Sequence, residues 1–315
     1  MTKYFGVVTE REYIKVNKGT DSETRKPFWE FLDEQPGGWL SSIVYLQKGI
    51  DYPKTEAPII FDCGAWSYKD KAIPKIGKFE VTPEWTVAQY QKYAKKGDFV
   101  VAPDHMFISE EVIEERRTFN RESTIDFLPL AKAAGFRPMA VVHGVEIEER
   151  VARAHELVRL GYDAISLGGL AFMAQGGSKK GKEKIIQIVE TIRKEVPDVW
   201  LHVLGVSAPS FAGKWRSFKV SSFDGASPFL KAFMGDYYVA NGSQMKRHSA
   251  TKVCRETGVL LGEITAPLCD CKACVELRKE GIDTRTFGSN ENNMGRAAHN
   301  LNQLMAAQKA AMHEE

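Results

Sequence analysis

Nothing in the 315-residue chain is long and apolar enough to cross a bilayer, which takes a run of roughly 18 residues. A secretory leader is not expected either. The opening Met1–Val8 turns charged at Glu10, Arg11 and Glu12, so there is no apolar h-region and a cytoplasmic protein is expected. Excess charge of one sign is absent, and a net +2 does not by itself argue for a polyanionic partner. Cysteine is scarce. Five residues, an odd number in a chain with no export signal, argue against a disulfide framework. With 43% hydrophobic and 27% charged residues, disorder and collagen-like repeats are excluded. The length suits two domains of ~150 residues, or one barrel of ~250 residues with an addition.

What is present alternates between two periods. Near-continuous apolar runs end in Gly or Asp at 59–62, 99–104, 139–144, 164–169, 200–205 and 218–225. Such runs suit strands buried on both faces of a parallel sheet. Helical stretches lie between them. Thr82 and Pro83 form a start signal, with Gly97 as the stop. Residues 146–160 carry Ile147, Val151, Ala154, Leu157 and Val158 at helical spacing before Gly161. Residues 182–195 repeat the pattern with Ile185, Ile188, Val189 and Ile192, ended by Pro197. Six strand–helix units in series predict a parallel α/β fold, with 5–8 and 43–46 as the remaining strands. A closed (β/α)₈ TIM barrel is the first reading and an open doubly wound sheet the second.

The polar residues fall at the C-terminal ends of these strands: Asp62, Asp104, His143, Gly168, Gly169, Gly205 and Asp224. One acid at a strand end is commonly a helix cap. Three acids, a histidine and two glycine turns on one rim predict an active site, because a barrel builds its site there. Cys269, Cys271 and Cys274 fall within six residues, and His299 follows on a predicted helix over 293–304. Three thiolates and one imidazole fill a tetrahedral shell, the composition of structural zinc; His248 is the alternative fourth ligand. Cys63 and Cys254 read as core thiols. The barrel is expected over 1–240 and a zinc-binding subdomain over 241–315, its C-terminal helix packed on the barrel.

Taken together, these motifs resemble the guanine transglycosylase superfamily, which includes the tRNA-guanine transglycosylases and the DpdA-type DNA-guanine transglycosylases. The resemblance covers roughly 58–305 and implies a (β/α)₈ barrel with a zinc subdomain. Asp62-Cys63-Gly64-Ala65-Trp66 resembles the family's Asp-Ser-Gly-Gly-Phe, which implies a general acid/base at Asp62. Asp224 after Phe223 matches the family's nucleophile, and Asp104 its guanine-reading acid. His143 stands where the tRNA enzymes place a base-contacting Gln. Gly168, Gly169 and Leu170 match a Gly-Gly-Leu whose backbone contacts the base, and Leu204 and Gly205 resemble a segment flanking the base pocket.

The departures favour the DNA-acting branch. After the nucleophile the text runs Gly225-Ala226-Ser227-Pro228 instead of Pro-Thr-Arg, and Ser67 replaces a Gln. The implied partners are nucleic acid, with DNA favoured over tRNA, and a free 7-deazaguanine base; a homodimer is compatible. The base is expected to be the neutral preQ0 and not the cationic preQ1, because Ala171 to Ala174 supply no carboxylate where bacterial tRNA enzymes have Glu. Gln175 or a backbone carbonyl remains an alternative acceptor. Trp66, Phe172 and Trp215 are candidates for stacking on an extruded base. Two basic stretches are candidates for the phosphate backbone: 178–182, and Lys246 and Arg247 with Lys252 and Arg255. A catalytically silent nucleic-acid-binding subunit and an unrelated zinc-stapled hydrolase are the competing classes.

Overall fold

A computed structural model describes residues 2–10, 12–175, 178–254, 257 and 259–314. Of the positions named above, Met1, Arg11, Arg255 and the side chain of Gln175 lie outside that description. Eight parallel strands close into a barrel in sequential order. They are β1 (Lys3–Val8), β2 (Gly38–Ser42), β3 (Ile59–Asp62), β4 (Phe99–Val101), β5 (Arg137–Val142), β6 (Ala164–Leu167), β7 (Trp200–Val203) and β8 (Ser222–Asp224). β1 pairs with β8 through Phe5 and Asp224 and with β2 through Phe5 and Gly38, which closes the ring.

Seven of the eight strands lie where the apolar runs place them. The second does not. Residues 43–46 belong to a short helix, α1 (Ile43–Gln47), and the strand is the preceding Gly38–Ser42. Ser42 explains the switch: its hydroxyl accepts from the Val44 amide and so caps the helix. Gly38 explains why β2 hid from a propensity reading. A Cβ there would sit 2.4 Å from the Phe5 ring, so the tight barrel wall excludes the β-branched residues that mark a strand.

The helix between β3 and β4 starts at its signal and ends before its stop. Thr82 caps α2 (Pro83–Tyr90) by accepting from the Trp85 amide, but α2 ends at Tyr90 and not at Gly97, because the Lys92 and Tyr93 amides turn back to the Gln89 and Tyr90 carbonyls and tighten the chain out of the α-helix. α3 (Ile113–Ala133) follows β4, and α4 (Ile147–Leu160) ends at Gly161, whose φ of 100° only glycine adopts readily. α5 (Lys179–Glu195) starts one turn before its apolar stripe because Ser178 caps it. Pro209–Ser217 and Ser227–Phe233 are helices after β7 and β8.

Among the described residues no α-helix lies between β1 and β2. A hairpin (Tyr13–Val16 with Thr24–Pro27) and a 3₁₀ turn (Phe28–Phe31) stand there instead. The chain's last helix, α6 (Asn290–Glu314), packs on them and on the helices after β7 and β8. The antiparallel hairpin Asp236–Asn241 with Gln244–Ser249 leads out of the barrel toward the cysteine-rich region. No described helix is long and apolar enough to cross a membrane.

Candidate active site

Asp224 is the last residue of β8, and Ser222 precedes it on the same barrel face because strand side chains alternate. Its Oδ1 accepts two hydrogen bonds, from the Gly205 amide at 2.9 Å and from His202 Nε2 at 3.1 Å. Gly205 reaches it through a left-handed turn at φ 72°. The next residue, Gly225, has a Cβ position 2.0 Å from Ser207 Oγ, so only glycine lets the loops after β7 and β8 meet. Tyr4 donates to the Gly225 carbonyl at 3.1 Å.

Asp104 lies three residues past β4, buried between two side chains. Its Oδ1 accepts from the Cys63 thiol at 3.1 Å, and its Oδ2 lies 2.7 Å from His143 Nε2. Tyr68 donates to the Asp104 carbonyl at 3.0 Å. His143 is therefore anchored on Asp104, with the Phe107 ring against it at 5.3 Å. Gly168 makes room for that imidazole, since a Cβ there would come within 2.5 Å of His143 Cε1. Beneath them, the buried Arg150 donates to the carbonyls of Val142 and Gly168 at 3.3 and 3.0 Å and ties the two rim turns together. Gly168→Ala should cost ~1–3 kcal/mol in a denaturant titration, because neither partner is a flexible chain end. A variant as stable as the parent would show slack around His143.

Asp62 ends β3, and its Oδ2 accepts from the Gly64 amide at 2.8 Å. Burial, with Asp104 and Asp224 nearby, raises its pKa from the ordinary carboxylate value to about 7. Asp62 therefore senses the other two acids across one rim. Trp66 and Phe172, both substantially exposed, stack on each other at 5.0 Å from the short helices Ala65–Tyr68 and Leu170–Gln175 that follow β3 and β6. Trp215 is no platform. It is fully buried, and its indole N–H donates to the Val206 carbonyl at 3.2 Å. Leu170 is buried, while Leu204 is partly and Gly205 largely exposed.

Outside the barrel mouth, Cys269, Cys271, Cys274 and His299 bring their ligand atoms within 4.8 Å of one another and could hold a metal ion. The surroundings favour metal over free thiols. His299 Nε2 lies 2.7 Å from the Tyr238 carbonyl, an acceptor only, so Nε2 carries the proton and Nδ1 is left as a ligand atom. Nδ1 faces Cys271 and Cys274 Sγ at 3.4 and 3.3 Å, and Tyr237 stacks on the ring at 3.9 Å. His248 takes no part in this cluster.

No protein-family model matches the chain. A curated relative does. The chain is similar to a DNA-guanine transglycosylase. That protein, from Salmonella montevideo, is 26% identical over 182 residues, which make up 55% of this chain and 41% of the relative. The chain thus covers less than half of the DNA-guanine transglycosylase's length. The likeness supports the guanine transglycosylase superfamily, the family that the motifs resemble.

The site also holds Cys63, expected from the sequence as a core thiol, and two residues without an expected role, Arg150 and His202. Cys63 is buried, as a core thiol should be, yet it bonds Asp104. Arg150 looked like one more charge on an amphipathic helix. His202 looked like part of an apolar strand. Its signal was available: a histidine on the same face as the residues leading to Asp224, in a run otherwise free of polar groups.

Proposed function

We propose that the protein is a base-exchange transglycosylase that replaces guanine in DNA with a 7-deazaguanine, preQ0 being favoured. The observation that carries the reading is the convergence of Asp62, Asp104 and Asp224 on one barrel rim, in a chain similar to a DNA-guanine transglycosylase.

Exchange with retention needs two displacements at C1′. Asp224 attacks C1′ and the C1′–N9 electrons leave with guanine, which takes a proton from Asp62. The incoming base then gives a proton to the Asp62 carboxylate and attacks C1′, and the ester electrons return to Asp224. One acid serves both steps because the second is the reverse of the first. A carboxyl group titrating near neutrality suits that double duty. Asp104 accepts from guanine's N1–H and exocyclic amine, with Cys63 and His143 holding its two oxygens from behind. In this reading His143 orients the reading acid, and the backbone at Gly168, Gly169, Leu170, Leu204 and Gly205 walls the base. Zinc at Cys269, Cys271, Cys274 and His299 is structural: four ligands leave no position for substrate, and the ion supplies cross-linking alone.

The test is incubation with labelled guanine or 7-deazaguanine and either duplex DNA or tRNA. Label in DNA is expected. Label in tRNA alone would assign the tRNA reaction, and label in neither would remove the reading. Competition between preQ0 and preQ1 should favour preQ0, because a buried ammonium without an acid partner is costly. Equal use of preQ1 would show that another group accepts from the amine.

Asp62→Asn should slow both half-reactions by about 10²–10⁴. It should also change stability with a definite sign. The folded state holds the Asp62 proton up to about pH 7, whereas an unfolded chain releases it near 4. The native carboxyl therefore makes the fold less stable as pH rises through that window. Asp62→Asn should melt higher than the parent at pH 8, and the gap should close toward pH 4. A gap that widens toward acid would contradict the elevated pKa.

A further inference from the structure

Behind Asp224 runs a chain of three hydrogen bonds. Trp200 Nε1 donates to Ser222 Oγ at 2.9 Å, Ser222 Oγ lies 2.8 Å from His202 Nδ1, and His202 Nε2 lies 3.1 Å from Asp224 Oδ1. The barrel register builds it: His202 on β7 pairs with Ser222 on β8, and Asp224 is the next residue of β8 on that face. Ser222 and His202 are fully buried, so water does not compete for either.

The direction of the chain follows from its first member. An indole N–H only donates, so Ser222 accepts there and its single proton is directed to the acceptor in reach, His202 Nδ1. A histidine accepting at Nδ1 carries its proton on Nε2, and that proton points at Asp224 Oδ1. The Gly205 amide points at the same oxygen. Among the described residues Oδ2 receives no hydrogen bond.

We propose that His202 is a positioning residue that sets which oxygen of Asp224 reacts. Resting on the transglycosylase reading, the assignment is that Oδ1 is held and Oδ2 is the attacking atom. Oδ2 gives an electron pair to C1′ as the C1′–N9 pair leaves with the purine, and Oδ1 becomes the carbonyl oxygen of the glycosyl ester. His202 Nε2–H and the Gly205 amide then donate to that carbonyl. Because the same two donors fix the plane of the carboxylate in attack and in departure, they keep Oδ2 aimed at C1′ in both steps.

Two measurements test this. In nitrogen-15 spectra of the histidine side chains at pH 7.5, assigned through His202→Gln, His202 should show a protonated Nε2 and a bare Nδ1. Ser222→Ala should mix the two tautomers. In single-turnover reactions with a guanine-containing DNA duplex, His202→Phe should slow adduct formation and its breakdown by preQ0 each about 100-fold, with KM for preQ0 little changed. His202→Gln, whose amide can donate to Oδ1, should recover at least about tenfold of that loss. A proton on Nδ1, or wild-type adduct kinetics in His202→Phe, would overturn the proposal. If His202→Phe fails to fold, the Gln and Ala variants decide it. If the parent protein forms no adduct with DNA or tRNA, the transglycosylase reading falls, and the tautomer spectra still judge the hydrogen-bond chain on their own.

Discussion

Asp224→Asn is expected to bind nucleic acid with near-native affinity, form no covalent adduct and lose base exchange by at least about 10⁴-fold. The amide has the shape of the carboxylate, and its oxygen can still accept from the Gly205 amide and His202. The barrel end should therefore keep its structure. In the proposed mechanism what is lost is the electron pair that opens the C1′–N9 bond. Denaturing gels of the DNA–protein adduct, with isotope exchange alongside, would measure it. Retained exchange at the parental rate would remove the central claim, whatever else the site does.

Metal removal should have the second largest effect, on stability before chemistry. Metal analysis should find about one zinc per chain, and Cys271→Ser should lower the melting temperature by ten degrees or more. The expectation rests on the size of structural zinc binding, ~10–16 kcal/mol apparent at neutral pH in small zinc modules. It also rests on what the four residues join. His299 lies on α6, and the cysteines lie in and just before a short helix (Lys272–Lys279), so a bound ion would clamp that segment onto the helix that covers the barrel flank. The cluster is away from the carboxylates, so at low temperature the variant should keep much of its activity per folded molecule. A metal-free protein with native stability and full activity would show that the cluster serves another purpose.

The residues that were legible in the sequence share a property: each stands where a period breaks. Asp62 and Asp224 end apolar runs, Gly161 ends a helical stripe, and three cysteines crowd into six positions. The periodicity located them, and packing had no vote. β2 was placed four to five residues too late because Gly38 and Ser42 are there to fit Phe5 and to cap a helix, and neither carries a strand propensity. The site contacts of Cys63, Arg150 and His202 were missed for the opposite reason. Cys63 follows a strand end, Arg150 sits inside a helix and His202 inside a strand, and only the packed barrel brings the first to Asp104, the second to the rim carbonyls and the third to Asp224. Trp215 illustrates the limit on the aromatic side: the same residue type that stacks at the mouth as Trp66 fills the core one shell away.

The absent helix after β1 has a consequence for how the molecule is made. The 3₁₀ turn that stands in its place is held by the far end of the chain: Asn302 accepts from the Asp33 amide and donates to the Phe31 carbonyl, and Lys309 pairs with Glu34. β1 itself finds its second strand partner only at Ser222–Asp224. On a ribosome, then, the first strand waits for some two hundred residues before its ring can close, and its outer cover arrives later still. Contacts of such long sequence separation form slowly and leave apolar edges open meanwhile. Refolding should be limited by docking of the last helix, and nascent chains stalled before residue 290 should expose β1 and the Phe28–Phe31 turn to chaperones.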